Sequence, residues 1–193
     1  MKSCDLILDG IRRISFGLAF RWEDDNEEVR LIEDGNRSFL RDRFKFDEPA
    51  SEWLFLEMSA PNDAEPSCPG IDITIRFPHP IEDPDYEFEA LTMVNEMNKA
   101  GCCCSASFDH EDRGIYIRSN IVYSGYHDYP GQEEDYSHSQ SEATLNFLAQ
   151  VFGVAKEWEP WIRKLTTPKA MTARSILTER TAKRRASAPT TIK

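Results

Sequence analysis

The sequence predicts an α+β domain: an antiparallel sheet with helices packed on one side. Three observations carry this. Between Gly17 and Phe77, stretches of alternating apolar and polar residues follow one another with no helical pattern between them. From Asp83 to Gly125 the chain reads as one helix followed by two strands. Near the C-terminus apolar residues recur at i, i+3, i+4 and i+7. Strands in groups, rather than strands alternating with helices, point to an antiparallel sheet and not to a parallel α/β one. The predicted order is a helix, three to five strands, a helix, two strands and a helix.

Residues 2–15 open the chain as an amphipathic helix, with Cys4, Ile7, Leu8, Ile11 and Ile14 on one stripe. Gly10 costs such a helix about 1 kcal/mol relative to alanine. In the strand region, Leu18, Phe20 and Trp22 alternate with Ala19, Arg21 and Glu23. A short second strand ends at Asp34-Gly35, a strong turn dipeptide. Leu40, Phe44 and Phe46 then share one face while Arg41, Arg43 and Lys45 share the other. Trp53–Leu56 is apolar on both faces, which suggests a central strand. Ala60–Gly70 is a proline- and acid-rich loop. Ile71, Ile73, Ile75 and Phe77 alternate with Asp72, Thr74 and Arg76, the period of a half-buried antiparallel strand.

Asp83 suits an N-cap and Pro84 a first helical position, where no N–H is needed. Ala90, Leu91, Val94 and Met97 make the apolar stripe of this helix, with Phe88 and Met93 alongside, and Gly101 stops it. A turn containing Gly114 joins the next two strands; Ile115, Ile117 and Ile121 take one face of the second, Tyr116 and Arg118 the other. The last helix is expected to start near Ser139, where Ser139 and Glu142 form a capping box. Leu145, Leu148, Ala149 and Phe152 give its stripe, and Pro160 should kink or restart it before Trp158, Trp161, Ile162 and Leu165 continue the pattern.

Residues 1–165 are therefore one domain. Residues 166–193 form a basic tail with too little apolar surface for a core, expected to be disordered or to form a short helix over Arg174–Arg185 on contact. The chain of 193 residues has a net charge of −11. The tail holds seven basic residues against Glu179 alone, a net +6, which leaves −17 on the body. An acidic body repels phosphate backbones, so nucleic acid is excluded except through the tail. It would instead favour basic clients. No run approaches the roughly 18 apolar residues of a membrane span. The apolar residues of the N-terminus are interrupted by Asp5, Asp9, Arg12 and Arg13, unlike a signal peptide. Five cysteines, three of them adjacent at Cys102–Cys104, make no disulfide framework and fit the reducing cytoplasm.

No reactive constellation stands out. The cysteine triplet lacks a C-x-x-C partner, so it reads as a strand of small side chains. His79, His110, His127 and His138 fall in expected loops, none beside a nucleophile with an orienting group. The acidic runs lie in turns and match no calcium loop. No cofactor or metal is expected, and the chain reads as a non-enzyme. Candidate partner-contact residues are Tyr116, Tyr123 and Tyr126 around the last strand, and Trp158 and Trp161 on the last helix, since tyrosine and tryptophan anchor interfaces. For each, packing into the core is the competing reading.

The segment ALTMVNEMN, a strand ending at Phe108, a turn at Gly114 and then GIYIRSNIVYSG resemble the YbjN-like family, whose fold is similar to that of type III secretion chaperones. Asn95 and Asn98 match the asparagine pair of that pattern, and the resemblance covers roughly residues 2–155. It implies a bacterial, partner-binding or dimeric α+β module with no catalytic residues. A homodimer would form through the central helix or the adjacent strand, with Leu91, Val94 and Met97 as its candidate interface. The loop Ala60–Gly70 and the extension from Lys156 depart from the pattern. Together these readings make the chain a chaperone-like protein that binds a client through sheet and helix surfaces; the alternative is a regulator that touches nucleic acid through its tail.

Overall fold

The computed structural model describes residues 20–22, 32–34, 37–61, 70–100, 103–122, 133–166 and 171–187. Strands β1 (Phe20–Trp22), β2 (Ile32–Asp34), β3 (Arg37–Phe46), β4 (Leu54–Pro61) and β5 (Gly70–Arg76) come first. A single 3-10 turn at Pro84–Tyr86 leads into helix α1 (Glu87–Lys99). Then follow β6 (Ser105–Phe108), β7 (Ile115–Val122), α2 (Glu133–Thr166) and α3 (Ala173–Ser187). The class is α+β, as the grouping of strands requires. The expected helix at 2–15 lies outside the described residues.

Every strand pairing is antiparallel. The sheet runs β1-β3-β4-β5-β7-β6, and β2 shares the β3 edge with β1. β1 pairs with Phe44–Phe46 and β2 with Arg37–Phe39. The chain leaves β5, builds α1, returns at the far edge as β6 and turns inward to β7. β4 is interior, as its apolar character suggested.

Alternation decides the two faces. Leu40, Phe44 and Phe46 of β3, Leu54, Leu56 and Met58 of β4, Ile71, Ile73 and Ile75 of β5, and Ile115 and Ile117 of β7 are all buried. They form one core with residues from all three helices. Phe44 sits at its centre, its ring 4.9 Å from that of Phe152 on α2 and 5.5 Å from that of Phe46.

Helix α1 is rotated from the expected stripe. Its buried residues are Ala90, Met93, Val94 and Met97. Leu91 is 41% exposed and Phe88 75% exposed. Of the three candidate dimer residues, only Leu91 therefore faces outward; Val94 and Met97 belong to the core. The helix ends at Lys99, with Ala100 as its cap, and Gly101 lies outside the described residues.

Helix α2 spans 34 residues, about 51 Å at 1.5 Å per residue. It begins at Glu133, so the Ser139–Glu142 box lies inside it and so does His138. It also continues through Pro160, which was expected to kink or restart it. Proline leaves the Lys156 carbonyl without its helical partner. The turns on either side are held by packing, since Trp158, Glu159, Trp161 and Ile162 are all buried.

Of the two alternatives for the tail, disorder or a short helix over Arg174–Arg185, the chain over Ala173–Ser187 takes the helix, docked on the body. Thr172 caps it by accepting from Ser175 N–H at 3.3 Å, and the Ala173 N–H donates to the Glu89 carboxylate of α1 at 2.6 Å. Ala173 and Ile176 are fully buried. The Arg180 guanidinium lies 3.8 Å from the centre of the Trp158 ring. Glu157 accepts from both Arg180 and Arg184, and Lys164 pairs with Glu179. Two small apolar anchors and these charge contacts hold a helix that intrinsic pattern alone does not announce.

We predict that Ile176→Asp detaches α3, because it forces an unpaired carboxylate into the core. The expected loss of stability is about 2–4 kcal/mol. Urea unfolding measures it, and tryptophan emission shifts to the red as Trp158 becomes wet. An unchanged midpoint would show that α3 adds nothing to the core.

Candidate functional site

The second face of the sheet carries the side chains that alternation turns away from the core. Register places them in cross-strand rows. Arg43 of β3 lies opposite Phe55 of β4, Phe55 opposite Arg76 of β5, and Arg76 opposite Tyr116 of β7. The adjacent row is Arg41, Glu57, Thr74 and Arg118. Among the described residues no helix covers these rows, and Arg41, Arg43, Glu57 and Arg118 are exposed.

Cations and rings interleave here. Arg43 stands 4.4 Å from the Phe55 ring centre, Arg76 lies between Phe55 at 5.7 Å and Tyr116 at 5.8 Å, and Arg118 is 5.2 Å from Tyr116. Farther along β3, Arg41 lies 5.0 Å from Phe39 and Lys45 4.7 Å from Trp53. Such contacts contribute about 0.5–1 kcal/mol each at exposed sites. Their larger effect is to hold long side chains in place. Between the rows opens a hollow of about 670 Å³, lined by Arg41, Arg43, Arg76, Arg118, Thr74 and Tyr116 among others.

Carboxylates offset part of the charge. Glu57 accepts from Arg41 at 2.6 Å, Asp72 pairs with Arg37, and Asp112 lies 3.3 Å from Arg76. No ion pair to Arg118 forms among the described residues, where its contact is with the Tyr116 ring. The Arg76 Nε is buried and finds no acceptor among them.

The turn before β7 sets one wall. Arg113 adopts φ 57°, and its guanidinium reaches the Ile81 and Asp83 carbonyls. At Gly114 a Cβ would stand 2.9 Å from both the Asp112 carboxylate and the Tyr116 ring, so glycine is required for this close approach. The Gly114 N–H donates to Asp112 at 2.8 Å, and the Tyr116 phenol donates to the same carboxylate. Burial alone would raise the Asp112 pKa. The bonds from Tyr116 and Gly114 and the charges of Arg76 and Arg118 outweigh it and hold the carboxyl below its ordinary range. Desolvation first, and then the bond to Asp112, push the Tyr116 phenol up to about 12.

Of the candidate contact residues, Tyr116 lies on this face. Tyr123 and Tyr126 fall outside the described residues. Trp158 and Trp161 are not surface anchors: they are 1% and 8% exposed. Arg180 covers the Trp158 ring, and Lys164 and Lys183 flank that of Trp161. His79 pairs with Glu52 at 2.8 Å and His110 with Glu87 at 3.0 Å. Cys103 and Cys104 precede β6, are half-buried and form no disulfide; Cys102 is outside the described residues. Among the described residues no three His, Cys, Asp or Glu side chains group as metal ligands. The arginines were the residues that sequence reasoning passed over. Their only local signal is the outward triplet Arg41, Arg43 and Lys45. No family model matches the chain, and neither a curated protein nor a solved structure matches it.

The raised Tyr116 pKa has a signed consequence. Below pH 10 the phenol is neutral in both folded and unfolded chains. Between 10 and about 12 only the unfolded phenol ionises, so stability falls as pH climbs through that window. In Asp112→Asn the Tyr116 titration, followed by phenolate absorbance, moves down toward the ordinary value. An unmoved titration would contradict the Asp112 bond.

Proposed function

We propose that this chain is a non-enzymatic, chaperone-like binding protein that holds a partner protein on the uncovered face of its sheet. The observation that carries the reading is the contrast between the two faces. One is sealed by three helices around a common core. The other presents an open hollow walled by arginines and rings. Preplaced side chains of this kind provide contact area at low ordering cost. The resemblance of the central stretch to a family with a secretion-chaperone-like fold agrees with it. So do the contacts of His79 with Glu52 and of His110 with Glu87.

The proposal includes a cytoplasmic setting, argued from the odd count and adjacent triplet of the five cysteines in the sequence, and a homodimer through the outer side of α1, where Phe88 and Leu91 are exposed. No helix among the described residues is long and apolar enough to cross a membrane. Nucleic-acid contact through the tail is the weaker reading, because Arg180 and Arg184 both close on Glu157.

Two surface variants separate these parts. Thr74→Trp fills the hollow from the middle of β5 and is expected to abolish capture of the partner from host extract. Leu91→Asp is expected to leave capture intact and to shift sedimentation from dimer to monomer. Capture that survives Thr74→Trp would overturn the binding-face reading, and an unshifted sedimentation profile would overturn the α1 dimer.

A further inference from the structure

The body of this chain is acidic, so its overall charge would select basic partners. The uncovered face has the opposite local character. Four guanidiniums, those of Arg41, Arg43, Arg76 and Arg118, line the hollow, against the carboxylates of Glu57, which pairs with Arg41, and of Asp112, which lies beside Arg76. We infer that the segment held there is an acidic, extended stretch of the partner, with carboxylates on alternate residues. This rests on the reading of that face as the binding surface.

Spacing supports an extended segment. Arg41 and Arg43 are two residues apart on one strand, hence about 6.8 Å apart along it. Carboxylates at i and i+2 of an extended chain have the same separation. Arg76 and Arg118 stand two and three strands away, roughly 10 and 14 Å across the sheet. An extended segment lying over β4 and β5 would thus have cations on both flanks. Arginine suits the task because its planar fork can meet a carboxylate with two parallel N–H bonds. Stacking on Phe55 and Tyr116 restrains Arg43, Arg76 and Arg118 beforehand. Arg118 enters with no ion pair to break among the described residues, whereas Arg41 and Arg76 bring their contacts with Glu57 and Asp112.

A single-stranded nucleic acid would also bring regularly spaced anions. It needs open ring faces for its bases, however, and guanidiniums already occupy those of Phe55 and Tyr116.

The test titrates the full-length protein into three labelled probes followed by fluorescence anisotropy. They are a synthetic peptide of alternating Glu and Thr, its Lys–Thr counterpart, and oligothymidylate of similar length. The Glu–Thr peptide is expected to bind, more weakly as salt rises. Arg43→Gln and Arg118→Gln, both on exposed positions, should each weaken it by about tenfold, the scale of one charge-assisted contact. Their melting temperatures should fall by no more than about 4 °C, the scale of one lost stacking contact, which separates lost contact from lost fold. Preference for the Lys–Thr peptide, binding of oligothymidylate with the same arginine dependence, or no binding of any probe would each overturn the acidic-segment inference. If Thr74→Trp still abolishes partner capture in that case, the binding face stands and only the chemistry assigned to its occupant falls.

Discussion

The antiparallel register of β3, β4, β5 and β7 is the constraint on which the rest depends. In a strand, successive side chains point to opposite faces, so a slip of one residue would exchange the faces completely. The pairing of Leu56 with Ile75 and of Ile75 with Ile117 puts aliphatic side chains together on one side. The same pairing necessarily puts Phe55, Arg76 and Tyr116 together on the other. Core and candidate site are two consequences of a single alignment. The cost of burying the arginine rows instead is what forbids any other.

Helices then distinguish the faces. α1 and α2 supply apolar surface from Met93, Val151, Phe152 and Trp158. α3 closes the assembly with little apolar area of its own, and depends on Ile176, the contact of Glu89 with its first N–H and the stacking of Arg180 on Trp158. Glu159 shows how tightly this side is sealed. Desolvation raises its pKa against the opposing charge of Arg163, and its carboxylate accepts the Glu52 N–H at 3.2 Å. One side is thus built around exclusion of water and the other around charged groups that remain in it.

Much of this was legible in the sequence. Period-two alternation exposed β3, β5 and β7 without a partner in view, because half-buried strands are patterned by burial itself. The interior place of β4 followed from apolar residues on both its faces. Helix α1 was legible as an element, but its orientation was not. Leu91 and Met93 are both apolar, and only the position of the sheet decides that Met93 turns inward. α3 was legible only as one alternative for the tail, and its docking was not, because its anchors are few and because Glu157 and Trp158, which hold its arginines, lie on another helix. The arginine face escaped for a related reason. Its members come from four strands, and no spacing along the chain relates Arg43 to Tyr116. Sequence charge even pointed the other way, since the net of −11 conceals the local positive cluster.

The claim at the centre of this account is that one sheet face is a core and the other a receptor for an acidic strand-like segment. Backbone amide chemical-shift mapping tests it most directly, on the full-length protein with the Glu–Thr peptide added stepwise. The account predicts saturating shifts at Arg43, Phe55, Thr74, Arg76, Tyr116 and Arg118, with the amides of α1 and α3 unmoved. Shifts confined to α1 and α3, with the outer rows of the sheet unchanged, would contradict it.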